Sequence, residues 1–342
     1  MTHVHASCPP DGLKLLGSPL AAAGRIIKNR IVVPPMADFG ATGEDGLVSG
    51  RHLDHYRAFA EGGAGLVIVE ACAVSPMREP RATIGLYRDG CLPGLTSLAE
   101  ACRSGGASAL VQLINTGLGA LPERSLAQIG AEQLQRFRRD FLSAALLCRQ
   151  AGFDGIELHA AHGFFLNQLV ECNDRTDEYG GRFEGRFRLI REIIGDIRAA
   201  CGKSFIISVR FGSGSREELL EEALAIEDAG ADLLDVSSGL RPPFPAPGDF
   251  PFSATVHMAS LVRQAVRIPV IAVGGIRTGA QAARILELGF ADMAAVGRGH
   301  LSDPAWAGRV LAGRPVSPCL ECRHCLWFSD GGRCPARRPA RP

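Results

Sequence analysis

The sequence predicts an α/β protein built as a closed (β/α)8 barrel, or TIM barrel, with a short cysteine-rich extension at its C-terminus. From about residue 30 onward, eight short apolar runs alternate with amphipathic stretches of about three turns or more, a pattern typical of βαβ units. Eight repeats favour a closed barrel over an open doubly wound sheet, and no GxGxxG motif follows the first run. The alternation ends at Gly313, so we expect the barrel to span residues 1–313 and the extension residues 314–342.

Each apolar run is short enough to form one strand of the predicted barrel. The eight predicted strands cover residues 30–33, 66–70, 109–113, 155–158, 205–211, 233–237, 270–273 and 293–296. Amphipathic patterns predict helices between them, for example at residues 53–61, 132–150 and 217–229. Glycines that should end these helices come a few residues before several strands, and they are Gly62, Gly63, Gly105, Gly106, Gly152, Gly230 and Gly289. The Pro- and Gly-rich residues 241–252 predict a long loop over the barrel mouth.

Length, charge and composition exclude several classes of protein. With 342 residues, 46% of them hydrophobic, the chain can bury a sizeable core. Its 37 Lys+Arg and 36 Asp+Glu give a formal charge of +1, so no overall field favours nucleic acid or an anionic membrane as a partner. No apolar run reaches the ~20 residues of a membrane span, and the first residues lack the pattern of a signal peptide. We therefore expect a cytoplasmic protein with a small-molecule substrate.

The eleven cysteines are of two kinds. Seven are scattered through the periodic segments, and we expect them to be core residues rather than disulfides. The other four lie in the extension with C-x2-C-x2-C-x8-C spacing, and they are Cys319, Cys322, Cys325 and Cys334. Thiolates at this spacing suit a [4Fe–4S] cluster or a tetrahedral zinc ion. Two CxxC steps that share a cysteine favour the compact cluster.

Glycines follow the last two predicted strands, at the end of the barrel where chemistry is usually placed. Gly274 and Gly275 follow the seventh strand, and Gly297 and Arg298 follow the eighth. Backbone N–H groups of glycines approach an anion closely, and Arg298 can add a bidentate charged contact. The pattern favours a phosphorylated ligand, and tight turns without a ligand are the alternative.

Two histidines follow the fourth predicted strand. His159 and His162 are three residues apart, and such a pair can bind a metal, donate hydrogen bonds to a developing anion, or pair within a buried loop. A third metal ligand is not evident nearby in the sequence. Gln112 and Arg210, at the ends of the third and fifth strands, are suitable hydrogen-bonding partners for a heterocycle.

Several segments resemble one family of flavin enzymes. Residues 159–188, with the sequence HAAHGFFLNQLVECNDRTDEYGGRFEGRFR, are similar to the signature of the Old Yellow Enzyme family of FMN-dependent barrels. Residues 28–37, 62–74, 272–279 and 294–304 resemble the same family in the same order. The resemblance covers nearly the whole chain. It implies an FMN-dependent oxidoreductase that transfers hydride between flavin N5 and a small organic substrate, such as an α,β-unsaturated carbonyl compound, with NAD(P)H as electron donor.

The resemblance also implies roles for individual residues. His159 and His162 would be the catalytic residues, which donate hydrogen bonds to a substrate oxygen. Ten residues would bind FMN, and in chain order they are Pro35, Met36, Ala37, Ala71, Gln112, Arg210, Gly274, Gly275, Gly297 and Arg298. The first four would contact the isoalloxazine ring, Gln112 and Arg210 its pyrimidine end, and the last four the ribityl phosphate.

The cysteine-rich extension resembles the iron–sulfur branch of the family, which includes 2,4-dienoyl-CoA reductase and trimethylamine dehydrogenase. Members of that branch carry four cysteines just after the barrel, although the last interval here is shorter than in trimethylamine dehydrogenase. The resemblance implies a [4Fe–4S] cluster. Those relatives continue with nucleotide-binding domains, whereas this sequence ends at Pro342, so we expect electrons from NAD(P)H bound directly at the flavin or exchange with a separate redox protein. Arginines that could dock such a partner, or simply form a solvated tail, are Arg333, Arg337, Arg338 and Arg341.

Three positions differ from the pattern usual in the family. Phe164 stands where reductases of the family usually have the tyrosine that protonates the substrate, and phenylalanine has no proton to give. Either another group or water protonates the substrate, or the enzyme works in the oxidative direction. Asn115 and Leu118 stand where relatives commonly have His and Arg. Two alternative functions belong to other classes. One is a non-redox phosphate-binding barrel that uses the histidines as acid and base, and the other is a barrel that serves only for binding or electron relay.

Overall fold

The computed structural model of the protein describes residues 10–38, 41–43, 45–76, 83–115, 125–328 and 331–337. Within these ranges, ten strands form two sheets. Strands β1 (Leu20–Ala22) and β2 (Arg25–Ile27) pair as an antiparallel hairpin. The other eight are parallel, and each pairs with its neighbours in chain order while the last pairs with the first. They are β3 (Ile31–Val33), β4 (Leu66–Ala73), β5 (Ser108–Ile114), β6 (Gly155–Ala160), β7 (Ile206–Phe211), β8 (Leu233–Val236), β9 (Val270–Val273) and β10 (Met293–Ala295). The predicted closed (β/α)8 barrel is therefore confirmed.

Helices alternate with these strands along the chain. They are α1 (Pro10–Gly17), α2 (Gly50–Glu61), α3 (Cys91–Arg103), α4 (Ala131–Gln150), α5 (Phe165–Glu171), α6 (Phe183–Cys201), α7 (Arg216–Asp228), α8 (Ala254–Ala265), α9 (Gly279–Glu287), α10 (Gly297–Ser302) and α11 (Trp306–Leu311). Short 3₁₀ helices occur at Leu126–Gln128, Leu326–Phe328, Gly331–Arg333 and Pro335–Arg337. Within the described ranges, no helix is both long enough and apolar enough to cross a membrane.

The hairpin β1–β2 is an element that the sequence analysis missed. Its strands have three residues each, too few to show a complete period of alternation. Leu20 and Ile27 are buried in one apolar cluster with Leu66, Leu110 and Ile206 from the barrel strands. The hairpin therefore closes the N-terminal end of the barrel, and the opposite end is left for a site.

Inward-facing residues change from apolar to polar along the strands. On β7, Ile206 packs with the hairpin cluster, whereas Arg210 near the other end is charged and buried. On β8, Leu233 belongs to the same apolar cluster and is followed two residues later by the buried Asp235. Because side chains at positions i and i+2 share one face of a strand, these polar groups lie inside the barrel towards its mouth.

Among the residues that the structure describes, the scattered cysteines are core residues with one exception. Five of them are buried, as predicted, and they are Cys72, Cys91, Cys102, Cys148 and Cys201. Cys172 is exposed, so the prediction is wrong for it, because it follows the last residue of the short helix α5. Cys8 lies outside the described residues. The predicted loop at residues 241–252 contains no helix or strand.

Candidate active site

The two histidines after the fourth barrel strand lie side by side at the barrel mouth. His159 is in β6, and Nε2 of its ring is 3.3 Å from Nδ1 of His162. His162 has a φ of 58°, a left-handed conformation that few residues other than glycine adopt, and its backbone N–H donates to the Ser238 carbonyl at 3.1 Å. A backbone held in this conformation is often found where a side chain has a functional role.

Both imidazoles are neutral at neutral pH. Burial lowers the pKa of His162 to about 4, and the nearby Arg210 guanidinium contributes in the same direction. Burial, then His162 and Arg210, lower the pKa of His159 well below its usual range. A neutral imidazole has one N–H donor and one acceptor nitrogen. The pair can therefore donate hydrogen bonds without carrying charge.

Ser237 is a site residue that the sequence analysis did not single out. Its Oγ lies 2.7 Å from Nε2 of His162 and 3.4 Å from Nη2 of Arg210. It follows β8, the sixth barrel strand, so the barrel brings it to His162 across 75 positions of the sequence. Its place at a strand end is the one signal that the sequence offered.

The predicted flavin contacts Gln112 and Arg210 belong to a network of buried polar groups. Gln112 donates its amide Nε2 to Oε1 of Glu157 at 2.9 Å, and Ser208 donates its hydroxyl to Oε2 at 2.9 Å. Arg210 is 8% exposed and lies with Nε 3.5 Å from Oδ2 of Asp235. Burial and the Asp235 carboxyl raise the pKa of Glu157 well above its usual range. The guanidinium of Arg210 thus lies inside the barrel with the carboxyl groups of Asp235 and Glu157 near it.

The residues at the mouth fit an FMN molecule. Within the described residues, the buried Nε of Arg210 has no hydrogen-bond partner, which suits a heterocycle acceptor. Gly274 and Gly275 have φ values of 107° and 70°, and a Cβ at Gly274 would lie 2.1 Å from Oγ1 of Thr255. Successive backbone N–H groups in such conformations form concavities that bind anions. A Cβ at Gly297 would lie 3.2 Å from Met36 Sδ, so this glycine also keeps the space open.

The remaining predicted contacts lie at the exits of the strands. Arg298 is exposed, while four residues implied to contact the ring are half-buried, and these are Pro35, Met36, Ala37 and Ala71. Ala71 lies inside β4, which extends three residues beyond the predicted end of that strand. All ten residues implied for FMN therefore lie within the described part of the chain, at the barrel mouth or on strands that lead to it.

Phe164 lies directly beside the histidine pair. Its ring centroid is 4.8 Å from that of His159, in an edge-to-face arrangement. Asn115 donates its side-chain Nδ2 to Ser75 Oγ at 3.2 Å. Leu118 lies outside the described residues. No hydroxyl therefore occupies the position from which the usual tyrosine would act, because phenylalanine stands there.

The cysteine-rich extension is packed against the barrel through Trp327. This indole is 2% exposed, donates Nε1 to the Ala37 carbonyl at 3.3 Å, and lies 4.9 Å from the His55 ring. Arg337 covers the Trp327 ring at 5.0 Å and donates to the Leu301 carbonyl at 2.6 Å. The guanidinium of this tail arginine is therefore engaged with the barrel, whereas Arg338 and Arg341 lie outside the described residues.

The four cysteines of the extension are not gathered into a site by their side-chain positions. Cys319, Cys325 and Cys334 are half-buried, and Cys322 is exposed. Among the described residues, no group of three or more His, Cys, Asp or Glu side chains is placed to hold a metal ion. The donor set itself, four thiols at short spacing outside the core, suits an iron–sulfur cluster or zinc.

Comparisons with known proteins identify the family. A sequence model of the NADH:flavin oxidoreductase / NADH oxidase family matches residues 16–317. The chain belongs to this family of flavin oxidoreductases. The resemblance to the Old Yellow Enzyme family is thereby confirmed, although the match ends two residues before Cys319.

Two sequence relatives and one solved structure are similar over most of the chain. An NADH oxidase of Thermoanaerobacter brockii is 35% identical over 336 residues, covering 87% of this chain and 51% of that protein. An NADPH dehydrogenase of Halalkalibacterium halodurans is 34% identical over 313 residues, covering 85% of this chain and 92% of that protein. The structure of a 2-naphthoyl-CoA reductase in complex with 2-naphthoyl-CoA superimposes with a TM-score of 0.83 at 23% identity, over 93% of this chain and 56% of that one. This last likeness shows the fold. The chain thus spans about half the length of the first relative.

Proposed function

We propose that this protein is an FMN-dependent enzyme that reduces a small α,β-unsaturated carbonyl compound with electrons from NAD(P)H. The observation that carries the proposal is a pair of neutral imidazoles, one buried (His159) and one exposed at the mouth (His162), with Nε2 of His159 and Nδ1 of His162 3.3 Å apart. Nitrogens at that separation can both approach one carbonyl oxygen. The names of the two sequence relatives, NADH oxidase and NADPH dehydrogenase, support NAD(P)H as the electron donor.

Ten residues would hold FMN, and when bound FMN supplies a hydride carrier at its N5 atom. Gln112 and Arg210 would bind the pyrimidine end of the ring, and Pro35, Met36, Ala37 and Ala71 would line it. Gly274, Gly275, Gly297 and Arg298 would bind the phosphate. The positive φ values at Gly274 and Gly275 support this assignment, because successive backbone N–H groups at a turn can form a concavity that binds an anion.

His159 and His162 would bind the substrate carbonyl oxygen and stabilise the negative charge that develops on it. Their lowered pKa values keep both rings neutral, so each acts as a hydrogen-bond donor rather than as an acid that loses its proton to solvent. One preorganised donor of this kind is typically worth about 2.7–4 kcal/mol of transition-state stabilisation. Arg210, which donates a hydrogen bond to Ser237, adds a fixed positive charge close to the two histidines.

Phe164 favours a second candidate, oxidation of a substrate such as an amine. Reduction of a conjugated double bond needs a proton at carbon, and the residue beside His159 cannot supply it. Oxidation needs no such donor, because the substrate loses hydride instead. For the reductive reaction, water or another group would replace the missing tyrosine.

We propose that Cys319, Cys322, Cys325 and Cys334 bind a [4Fe–4S] cluster, with zinc as the alternative. Four thiols at this spacing support the cluster, and so does the attachment of the extension to Ala37, a residue implied to line FMN, through Trp327. Such a cluster would exchange electrons with a separate redox protein. Measuring iron, acid-labile sulfide and zinc in one anaerobic preparation distinguishes the two metals. We expect about four iron and about four sulfide ions per chain.

The proposed reaction is tested with the FMN-loaded protein under anaerobic conditions. The expected result is that NADH or NADPH bleaches the flavin and that 2-cyclohexen-1-one then restores its colour. Bleaching by an amine, with no recovery on adding the enone, would favour the oxidative candidate. A folded protein that takes up no FMN would exclude both and leave a non-redox barrel that uses His159 and His162 as acid and base.

A further inference from the structure

The hydroxyl of Ser237 contacts both His162, one member of the histidine pair, and the guanidinium of Arg210. It is 2.7 Å from Nε2 of His162 and 3.4 Å from Nη2 of Arg210, and Ser237 is 5% exposed. A serine hydroxyl can donate one hydrogen bond and accept two, whereas arginine only donates. Arg210 therefore donates to this oxygen, and the bond to His162 can run in either direction.

Hydrogen bonds fix where each proton lies when the site is free of substrate. The backbone N–H of Ala161 points at Nδ1 of His159 at 3.4 Å, so Nδ1 is the acceptor and the proton of this ring is on Nε2. Nε2–H of His159 then donates to Nδ1 of His162, which leaves the proton of His162 on Nε2. That Nε2–H donates to Ser237 Oγ. Burial lowers the pKa of both rings, so neither has a second proton.

In this arrangement the pair offers only one free donor to a substrate. Nε2–H of His159 can turn to a substrate oxygen, but Nδ1 of His162 is an acceptor and would repel it. Two donors are available only if His162 carries its proton on Nδ1. Its Nε2 would then be an acceptor facing the buried Ser237 hydroxyl and would need a hydrogen bond from it.

We propose that Ser237 is a positioning residue that sets the tautomer of His162 and so completes the two-donor site. With an anionic or carbonyl oxygen bound, the Ser237 hydroxyl rotates and donates to Nε2, and His162 presents Nδ1–H beside Nε2–H of His159. A solvent water at the barrel mouth, where His162 is exposed, accepts the proton from Nε2 and another water gives one to Nδ1, so the ring stays neutral. Ser237 keeps its proton throughout and changes from acceptor to donor, while Arg210 continues to donate to its oxygen. This inference rests on the proposed function.

The proton position of His162 is measured directly by NMR of the FMN-loaded protein labelled with ¹⁵N-histidine, because the two tautomers give different ¹⁵N shifts. The signal of His162 is assigned from its loss in His162→Gln. The probe is 4-nitrophenol at a pH where it is ionised, since it carries one oxyanion on a flat ring. We expect His162 in the wild type to have its proton on Nε2 without the probe and on Nδ1 with it.

Three variants separate the role of Ser237 from a general disturbance of the site. In Ser237→Ala, His162 should keep its proton on Nε2, and 4-nitrophenol should bind about tenfold more weakly or worse, as expected for the loss of one hydrogen bond to a charged ligand. Ser238→Ala is the matched control, because it removes the neighbouring hydroxyl but keeps the carbonyl that His162 uses, and it should behave as wild type. Ser237→Thr keeps a hydroxyl and should restore both the change and the affinity.

Each of the other outcomes contradicts a specific part of the proposal. A Ser237→Ala protein with wild-type affinity and a normal tautomer change would overturn the inference, as would a wild-type His162 that keeps its proton on Nε2 with the probe bound. Failure of the wild type to bind the probe would also contradict it, because no two-donor site would then exist. If the protein took up no FMN, the proposed function would fail, yet the resting Nε2 tautomer and its dependence on Ser237 would still be read in the FMN-free protein.

Discussion

The guanidinium Nε of Arg210 lies 3.5 Å from Oδ2 of Asp235, on neighbouring strands whose Cα atoms pair in register. The pair is almost completely removed from solvent, and its separation is long for a hydrogen bond. Burial raises the pKa of Asp235, and the attraction of Arg210 only partly opposes that shift. The positive charge of Arg210 is therefore not fully balanced by Asp235, so its guanidinium can also attract an electron-rich edge of a ligand at the barrel mouth.

Replacing Arg210 alone should destabilise the barrel more than replacing Arg210 and Asp235 together. Arg210→Met leaves Asp235 and Glu157 facing each other in the interior, and we expect a loss of about 3 kcal/mol in the free energy of unfolding. The double variant Arg210→Met, Asp235→Asn should recover much of that loss. Urea unfolding of the FMN-free proteins measures both. Equal losses in the single and double variants would show that the two side chains do not interact.

His162→Ala should slow the reduction of an enone by about 10²–10³-fold, the usual effect of removing one oxyanion donor. Reduction of the flavin by NAD(P)H should change far less, since it involves no substrate carbonyl. Rapid-mixing measurements of the two half-reactions separate these effects at equal FMN content. If the enone half-reaction kept its wild-type rate, the histidine pair would not be the oxygen-binding site.

Phe164→Tyr should raise enone reduction by about 10-fold or more, because it places a phenolic O–H beside His159. Phe164→Leu is the matched control, which changes the ring without adding a proton, and should give no increase. Oxidation of an amine, if the enzyme performs it, should not gain from the tyrosine. A wild-type rate that is already high and unaffected by Phe164→Tyr would indicate that another group supplies the proton.

His55→Phe should stabilise the protein, and increasingly so in acid. Both ring nitrogens of His55 are buried without a partner among the described residues, and burial, followed by Arg337, lowers its pKa to about 3. The unfolded chain binds this proton near the ordinary histidine pKa of about 6.5, so the wild type loses stability as the pH falls from there towards 3.

The stability of His55→Phe should exceed that of the wild type by about 1 kcal/mol at pH 7, because a buried unpaired group is replaced by an apolar ring. The difference should widen by up to about 1.4 kcal/mol for each pH unit below 6.5. Thermal or urea unfolding across that range measures it. A difference that stayed constant with pH would show that the pKa of His55 is the same in the folded and unfolded protein.

The barrel strands could be predicted from the sequence because each is a short apolar run between polar segments. All eight are confirmed, and their ends differ from the predicted ones by at most three residues, as for β4, which extends to Ala73. The hairpin β1–β2 could not be predicted, because a three-residue strand has no full period. The attachment of the extension also escaped prediction, since the contact of Trp327 with Ala37 joins positions 290 residues apart.

The histidine pair was within reach of sequence analysis because both residues follow one strand and match a family motif. Ser237, Glu157 and Asp235 were not, because their partners lie on other strands and the pairing depends on the register of the barrel. A polar residue at alternate positions of an apolar strand, as at Glu157 and Asp235, is the signal that could have pointed to the interior network.

The content of FMN tests the central assignment most directly. The purified protein, reconstituted if necessary, should release one FMN per chain on denaturation, and Arg298→Ala, at the proposed phosphate site, should bind FMN more weakly by about tenfold or more. A folded barrel that retains no FMN, or one whose FMN affinity is unchanged by Arg298→Ala and by substitutions at Gly274 and Gly275, would contradict the placement of the flavin at the mouth of this barrel.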